Sequence, residues 1–368
     1  RFKYKKYKYL RIKIMAYSTI VKPQDYFNTK LYTGNGSAGN AITGVGFQSD
    51  FSWIKNRAAD WHIWTDAVRG VTKQIYSNSS SAEATDSTYM QSFNSDGFTL
   101  GTNADVNDSG NNYASWNWLA ANGTASNTTG SINSTVSVNT TSGFSIVTYT
   151  GTNGTETVGH GLGVVPKMII IKYYTSGKDW VVYHEGLTSG ASLTLNGTSA
   201  QTLASSKDYF NSTAPTSSVF TIKKDGVYDQ VNNGTAGFIA YCFSDVQGFS
   251  KMGSYTGNGN DDGTFIYTGF KPAFVLVKRT DAVANWGLID NTRDPFNVTY
   301  HFLEPNVSDA EFTPSGPQAA FDFCSQGFKC RSTNGAINAS GGTYIYMAFA
   351  ENPLVANSGT DGVPATAR

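Results

Sequence analysis

A five-residue turn, Tyr32-Thr-Gly-Asn-Gly36, recurs as Tyr255-Thr-Gly-Asn-Gly259 and, with one insertion, as Tyr149-Thr-Gly-Thr-Asn-Gly154. The spacing is that of small domains and is far longer than the roughly 20–50 residues of a solenoid repeat. The segments C-terminal to each turn also recur in order. A glycine-led loop runs into an apolar stretch ending in lysine, as Phe51-Ser-Trp-Ile-Lys55, Met168-Ile-Ile-Ile-Lys172 and Phe274-Val-Leu-Val-Lys278. Tryptophans come next, at 61, 180 and 286. Each unit then closes with an apolar-Asn pair, Val106-Asn107, Val231-Asn232 or Ile337-Asn338, and an aromatic strand that begins at Tyr113, Phe238 or Tyr344. These matches divide the chain into three tandem units: 15–121, 142–245 and 246–353, with a polar, breaker-rich linker at 122–141 and a tail at 354–368.

The units read as strands. Within them, short apolar segments alternate with Gly, Asn and Asp, and Ser95-Asp-Gly97 and Gln326-Gly327 are hairpin signals at equivalent places. Helix signals are thin, one turn each at 80–85 and 306–311. The expected class is all-β, three tandem β-sandwich, jelly-roll-like units. Three cysteines make no disulfide framework, and Cys242, Cys324 and Cys330 are expected to be free thiols, the alternative being a bridge between Cys324 and Cys330 across the hairpin tip they flank.

Charged residues are 15% of the 368, and the formal net charge is zero. Nucleic-acid binding, which draws its affinity from Lys and Arg on phosphates, is therefore not expected. No apolar run approaches the roughly 20 residues that span a bilayer, so membrane insertion is not expected either. Residues 1–14 stand apart, with Lys and Arg interleaved among aromatic and β-branched residues. Three explanations stay open for this basic arm: a docking strand for a neighbouring sheet edge, a patch for an anionic partner, or residues ahead of a natural start at Met15.

Candidate sites track the repeat. Trp61, Trp180 and Trp286 are each trailed by an acid, Asp66, Glu185 and Asp290, an arrangement suited to stacking on a sugar ring and hydrogen-bonding its hydroxyls. Arg69 and Arg293 lie three residues after Asp66 and Asp290. Such pairs fix a loop, and copying into successive units favours that structural role. No catalytic residue is assigned, because no pair of carboxyls stands out from the repeat and Gly-x-Ser-x-Gly is missing. His62, His160, His184 and His301 lie in no metal-binding pattern, so no metal or cofactor is expected. Asn-x-Ser/Thr triplets, Asn196 among them, match the frequency that composition alone produces.

Residues 15–36, Phe51-Ser-Trp-Ile-Lys-Asn-Arg57, Asp96-Gly-Phe-Thr-Leu-Gly101 and Gly342-Thr-Tyr-Ile-Tyr-Met-Ala-Phe-Ala-Glu-Asn-Pro353 resemble a family of marine bacteriophage structural proteins of the cyanophage and pelagiphage type. The resemblance covers most of 15–353 and leaves out residues 1–14. Its members are described as tail-fibre-like or carry no assigned function. It implies a virion or extracellular location and a non-enzymatic tail fibre or adhesin that engages a host-surface glycan and other virion proteins. A homo-oligomer, a trimer foremost, is then expected. Two alternatives stay open: a self-assembling filament or shell component with a donated N-terminal strand, and a glycan-binding or glycan-degrading module.

Overall fold

The computed structural model describes residues 18–312 and 320–354 of the chain. The basic arm at 1–14 and residues 355–368 lie outside that range. The fold is all-β, built of antiparallel sheets packed as sandwiches. One four-strand order occurs in three of the sheets. An entry strand (Phe27–Thr33, Phe144–Thr150, Ser250–Thr256) pairs with the closing strand (Asn112–Trp118, Gly237–Phe243, Thr343–Pro353). The closing strand pairs in turn with a lysine strand (Phe51–Asn56, Met168–Tyr173, Phe270–Arg279), and that with a flanking strand (His62–Asp66, Val181–His184, Trp286–Asp290).

Each lysine strand is buried on both faces, which is why it reads as a nearly unbroken apolar run rather than an alternating one. In the first, Ile54 joins a local core under a small outer sheet, while Phe51 and Trp53 point the other way. That second face is common property. Phe51, Trp53, Trp64 and Trp116 share one core with Phe144, Ile170, Trp180 and Tyr241, and with Phe274, Leu276, Trp286 and Met347. Aromatic contacts cross all three seams: Phe51 to Tyr241 at 4.6 Å, Phe243 to Phe349 at 6.1 Å and Trp118 to Phe274 at 5.9 Å between ring centroids. The three sheets are therefore walls of one core, and each closes a smaller core of its own on the outside.

The repeated turn is wrapped around a buried asparagine. Asn107 Oδ1 accepts from Asn35 N at 2.9 Å, Asn232 Oδ1 from Thr152 N at 2.7 Å and Asn338 Oδ1 from Asn258 N at 3.0 Å. Their amide nitrogens donate to backbone carbonyls of Gly101, Gly154 and Ser332. The tyrosine that opens each turn, Tyr32, Tyr149 or Tyr255, donates its hydroxyl to the carbonyl just before that asparagine, at 2.7–2.8 Å. Its ring stacks on Tyr113, Phe238 or Tyr344 of the closing strand, at 5.0, 5.3 and 4.8 Å. Turn, asparagine and closing strand are one unit of structure, and this accounts for their joint recurrence.

Two sequence expectations are corrected. The one-turn helices lie at Ala104–Asn107 and Gly335–Asn338, capped by Asn103 and Asn334, and not at 80–85, a loop that runs into the short strand Ala84–Thr85, or at 306–311, a turn and loop. The stretch 122–141 is more than a connection: Ala125–Asn127 and Ser134–Asn139 are strands added to the edge of the Phe144–Thr150 entry strand. Cys242, Cys324 and Cys330 are unpaired thiols.

Replacing Asn232 by alanine strips partners from buried backbone groups on both sides of the turn. We expect a loss on the order of 3 kcal/mol in urea unfolding, against less than about 0.5 kcal/mol for the exposed Asn133→Ala.

Candidate functional site

Asp66 and Asp290 occupy the same register position, opposite Phe51 and Phe274 at the end of their flanking strands. Each makes the same bracket. One carboxylate oxygen accepts from the backbone N–H groups two and three residues on. The other binds the arginine Nε, Arg69 or Arg293, at 2.6 Å. The guanidinium then reaches a second carboxylate, Glu83 at 3.0 Å or Glu311 at 2.8 Å, and donates to the carbonyl of Trp64 or Leu288. Both pairs are buried. Burial works against the charge of Arg69 and Arg293, but the facing carboxylates hold each proton more tightly than in water.

The brackets also join units. Tyr241 of the second unit donates its hydroxyl to Asp66 at 2.8 Å, and Trp116 of the first donates its indole N–H to Asp290 at 3.1 Å. At the third seam the partner position on the closing strand holds Met347, which has no N–H or O–H to give. There the acid's place is taken by His184, opposite Met168, whose Nε2 contacts the carbonyl of Tyr346 at 3.2 Å. Burial lowers the His184 pKa to about 4, so the ring is neutral at pH 7. Glu185, which the sequence aligned with Asp66 and Asp290, lies one residue beyond that position and pairs with Lys167 near the surface.

A second fastener repeats at all three seams. Lys55, Lys172 and Lys278 are fully buried. Each ammonium donates to backbone carbonyls of its own unit and to one from the preceding unit in cyclic order: Ser308 at 3.2 Å, Ser80 at 2.7 Å and Thr198 at 3.2 Å. Beside them, Trp180 Nε1 donates to the carbonyls of Tyr76 and Ser79, and Trp286 Nε1 to that of Thr194. The receiving loops are set by Asn78, Asn196 and Asn306, whose side-chain oxygens accept from the backbone N–H of His62, Trp180 and Trp286. The sequence held this signal in Asn78-Ser-Ser80, Asn196-Gly-Thr198 and Asn306-Val-Ser308. Composition masked it.

Trp180 and Trp286 are thus seam residues with no ring face open to a ligand. Trp61 is different. His62, whose Nδ1 accepts from Trp53 Nε1 at 3.0 Å, fills the position of the other two tryptophans. Trp61 itself is 43% exposed, 5.5 Å from the ring of Tyr76. Its counterparts are Asp179 and Asn285, small polar residues that accept from Asn196 and Asn306. Among the described residues no group of three or more His, Cys, Asp or Glu is placed to hold a metal ion. His301 and Asp294 are in contact at 2.5 Å, but Asp294 is already engaged by the backbone N–H groups of Tyr300 and His301.

The family model of a domain of unknown function (DUF7483) matches residues 22–353, all three sheets within one domain. The chain belongs to that family. No curated protein matches it.

The buried charges lead to two measurable outcomes. Burial pulls the amines of Lys55, Lys172 and Lys278 from 10.5 down to about 8. The folded chain therefore holds these protons less tightly than the unfolded one, and between about pH 8 and 10.5 their contribution to stability rises with pH. Lysine-selective NMR should find three amines titrating near 8, and Lys172→Met should flatten the rise in stability relative to wild type. Arg293→Met leaves Asp290 buried without its cation and Glu311 held by Arg57 alone, and should cost about 3–5 kcal/mol in denaturant unfolding.

Proposed function

We propose that this protein is a non-enzymatic virion structural protein, a tail-fibre or adhesin subunit that meets the host surface. The observation that carries this reading is the division of its chemistry. The polar constellations that recur from unit to unit are spent inside, on turns and seams. Among the side chains that stand exposed are aromatic ones that lack a counterpart of the same kind in the other units, as at Trp61. A rigid body presenting distinct aromatic positions on an uncharged-polar surface suits adhesion. The resemblance to phage structural proteins supports the virion location, and the family match carries no activity with it. Display as a homo-oligomer, a trimer foremost, belongs to the same reading, as does contact with other virion proteins.

The test is to probe purified particles of the virus that encodes the chain with antibody against it, and to measure binding of the purified protein to host cells. Labelling of particles together with saturable cell binding is expected. Unlabelled particles overturn the virion assignment, and labelled particles with no cell binding reduce the protein to an architectural part.

A further inference from the structure

We propose that the cleft beside the turn that leads from the second unit into the third is a saccharide-binding subsite with Tyr267 as its stacking platform; this rests on the host-surface reading above and names its ligand class. The cleft, about 440 Å³, has two walls. One is the turn that joins the units, with Asp245, Gln247 and Gly248, and the start of the Ser250–Thr256 entry strand, with Lys251. The other is the end of the edge strand Phe265–Tyr267 and the Thr268-Gly269 turn after it.

The aromatic residues of that edge strand are not there for the fold. The strand Asn40–Thr43 of the first unit holds the same place: Thr43 pairs with Gly97 as Tyr267 pairs with Gly327, and Ile42 with Phe98 as Ile266 with Phe328. The buried position is isoleucine in both. At the two outward positions the first unit has Ala41 and Thr43, and the third has Phe265 and Tyr267, which are 48% and 56% exposed. The same backbone thus stands with a methyl and a hydroxyl where this unit places two large rings in water, and burial gives no reason for them.

The surroundings of Tyr267 select the ligand. A flat ring beside a polar cleft suits a molecule with an apolar C–H face and an equatorial fringe of hydroxyls, which is a pyranose. The fringe meets donors and acceptors together. Lys251 Nζ and Asp245 Oδ2 form a 2.7 Å pair that is partly exposed, and Gln247 is exposed beside it. Asp245 is fixed from behind, since its other oxygen accepts from Met252 N at 2.7 Å. The pair sums to no net charge, so the hydroxyls of a neutral sugar are matched better than a phosphate or a sulfate.

The experiment is saturation-transfer NMR on the full chain with maltotetraose, cellotetraose and the tetramer of N-acetylglucosamine, on wild type, Tyr267→Thr and Gln247→Ala. Tyr267→Thr installs the residue that the first unit already carries at this position, so it keeps the fold. Saturation transfer to at least one of the three sugars, weakened at least tenfold in Tyr267→Thr and several-fold in Gln247→Ala, is expected. Silence with all three sugars, or transfer that survives Tyr267→Thr, overturns the subsite. Cell binding separates this outcome from the broader reading: cell binding by a protein that is silent with all three sugars removes the subsite and leaves the adhesin, whereas sugar binding by a protein missing from particles does the reverse.

Discussion

The structure depends on three buried ammonium groups that each find one of their acceptors in another unit. Lys55, Lys172 and Lys278 end strands whose inner faces are apolar, and a lysine in that place is tolerable only if carbonyls surround it. Part of that set comes from a loop of the preceding unit, so a unit without its neighbour would carry an unmatched charge beside an open aromatic face. The apolar core draws the three sheets together without direction, and the lysines add direction. They fix which loop meets which strand, and the order closes on itself from third unit to first.

The second unit illustrates how tightly buried charges are bound to one another. Where the first and third have Asp66 and Asp290, it has His184; where they have Arg69 and Arg293, it has Leu187; and Gln201 stands five residues after Asn196 as Glu83 comes five after Asn78 and Glu311 five after Asn306. All three charges are replaced together. Losing one alone would strand its partners in a dry interior, at a cost well above that of losing the whole set. Leu187 instead packs against the shared core, and Gln201 turns its oxygen to Thr188 N at 3.0 Å.

Much of this was legible in the sequence. The all-β class came from short apolar segments separated by turn residues, and the turn, the apolar-Asn pair and the closing strand recurred because they touch. The seams were not legible, since a lysine at the end of an apolar run reads as a solvated terminus unless the loop that caps it is known, and that loop belongs to another unit. The slip at Trp61 has a simpler cause. His62 comes seven positions after Lys55 in the first unit, where tryptophan comes eight after lysine in the others, so matching tryptophan to tryptophan misplaced the register by one. The helical turns expected at 80–85 and 306–311 failed because carbonyls in those loops serve the lysines of the next unit and are not free to bond within a helix.

Because the third unit returns to the first, the two ends of the described chain lie side by side: Gln24 Nε2 donates to the carbonyl of Glu351 at 2.6 Å, and Phe27 stacks on Phe349 at 4.8 Å. Tension applied to those ends would not draw the three units out in series, as it does a string of independent domains. It would fall first on this one contact, with the other two seams shielded behind it, so the body would resist as a closed clasp until that contact parted and then yield as a whole.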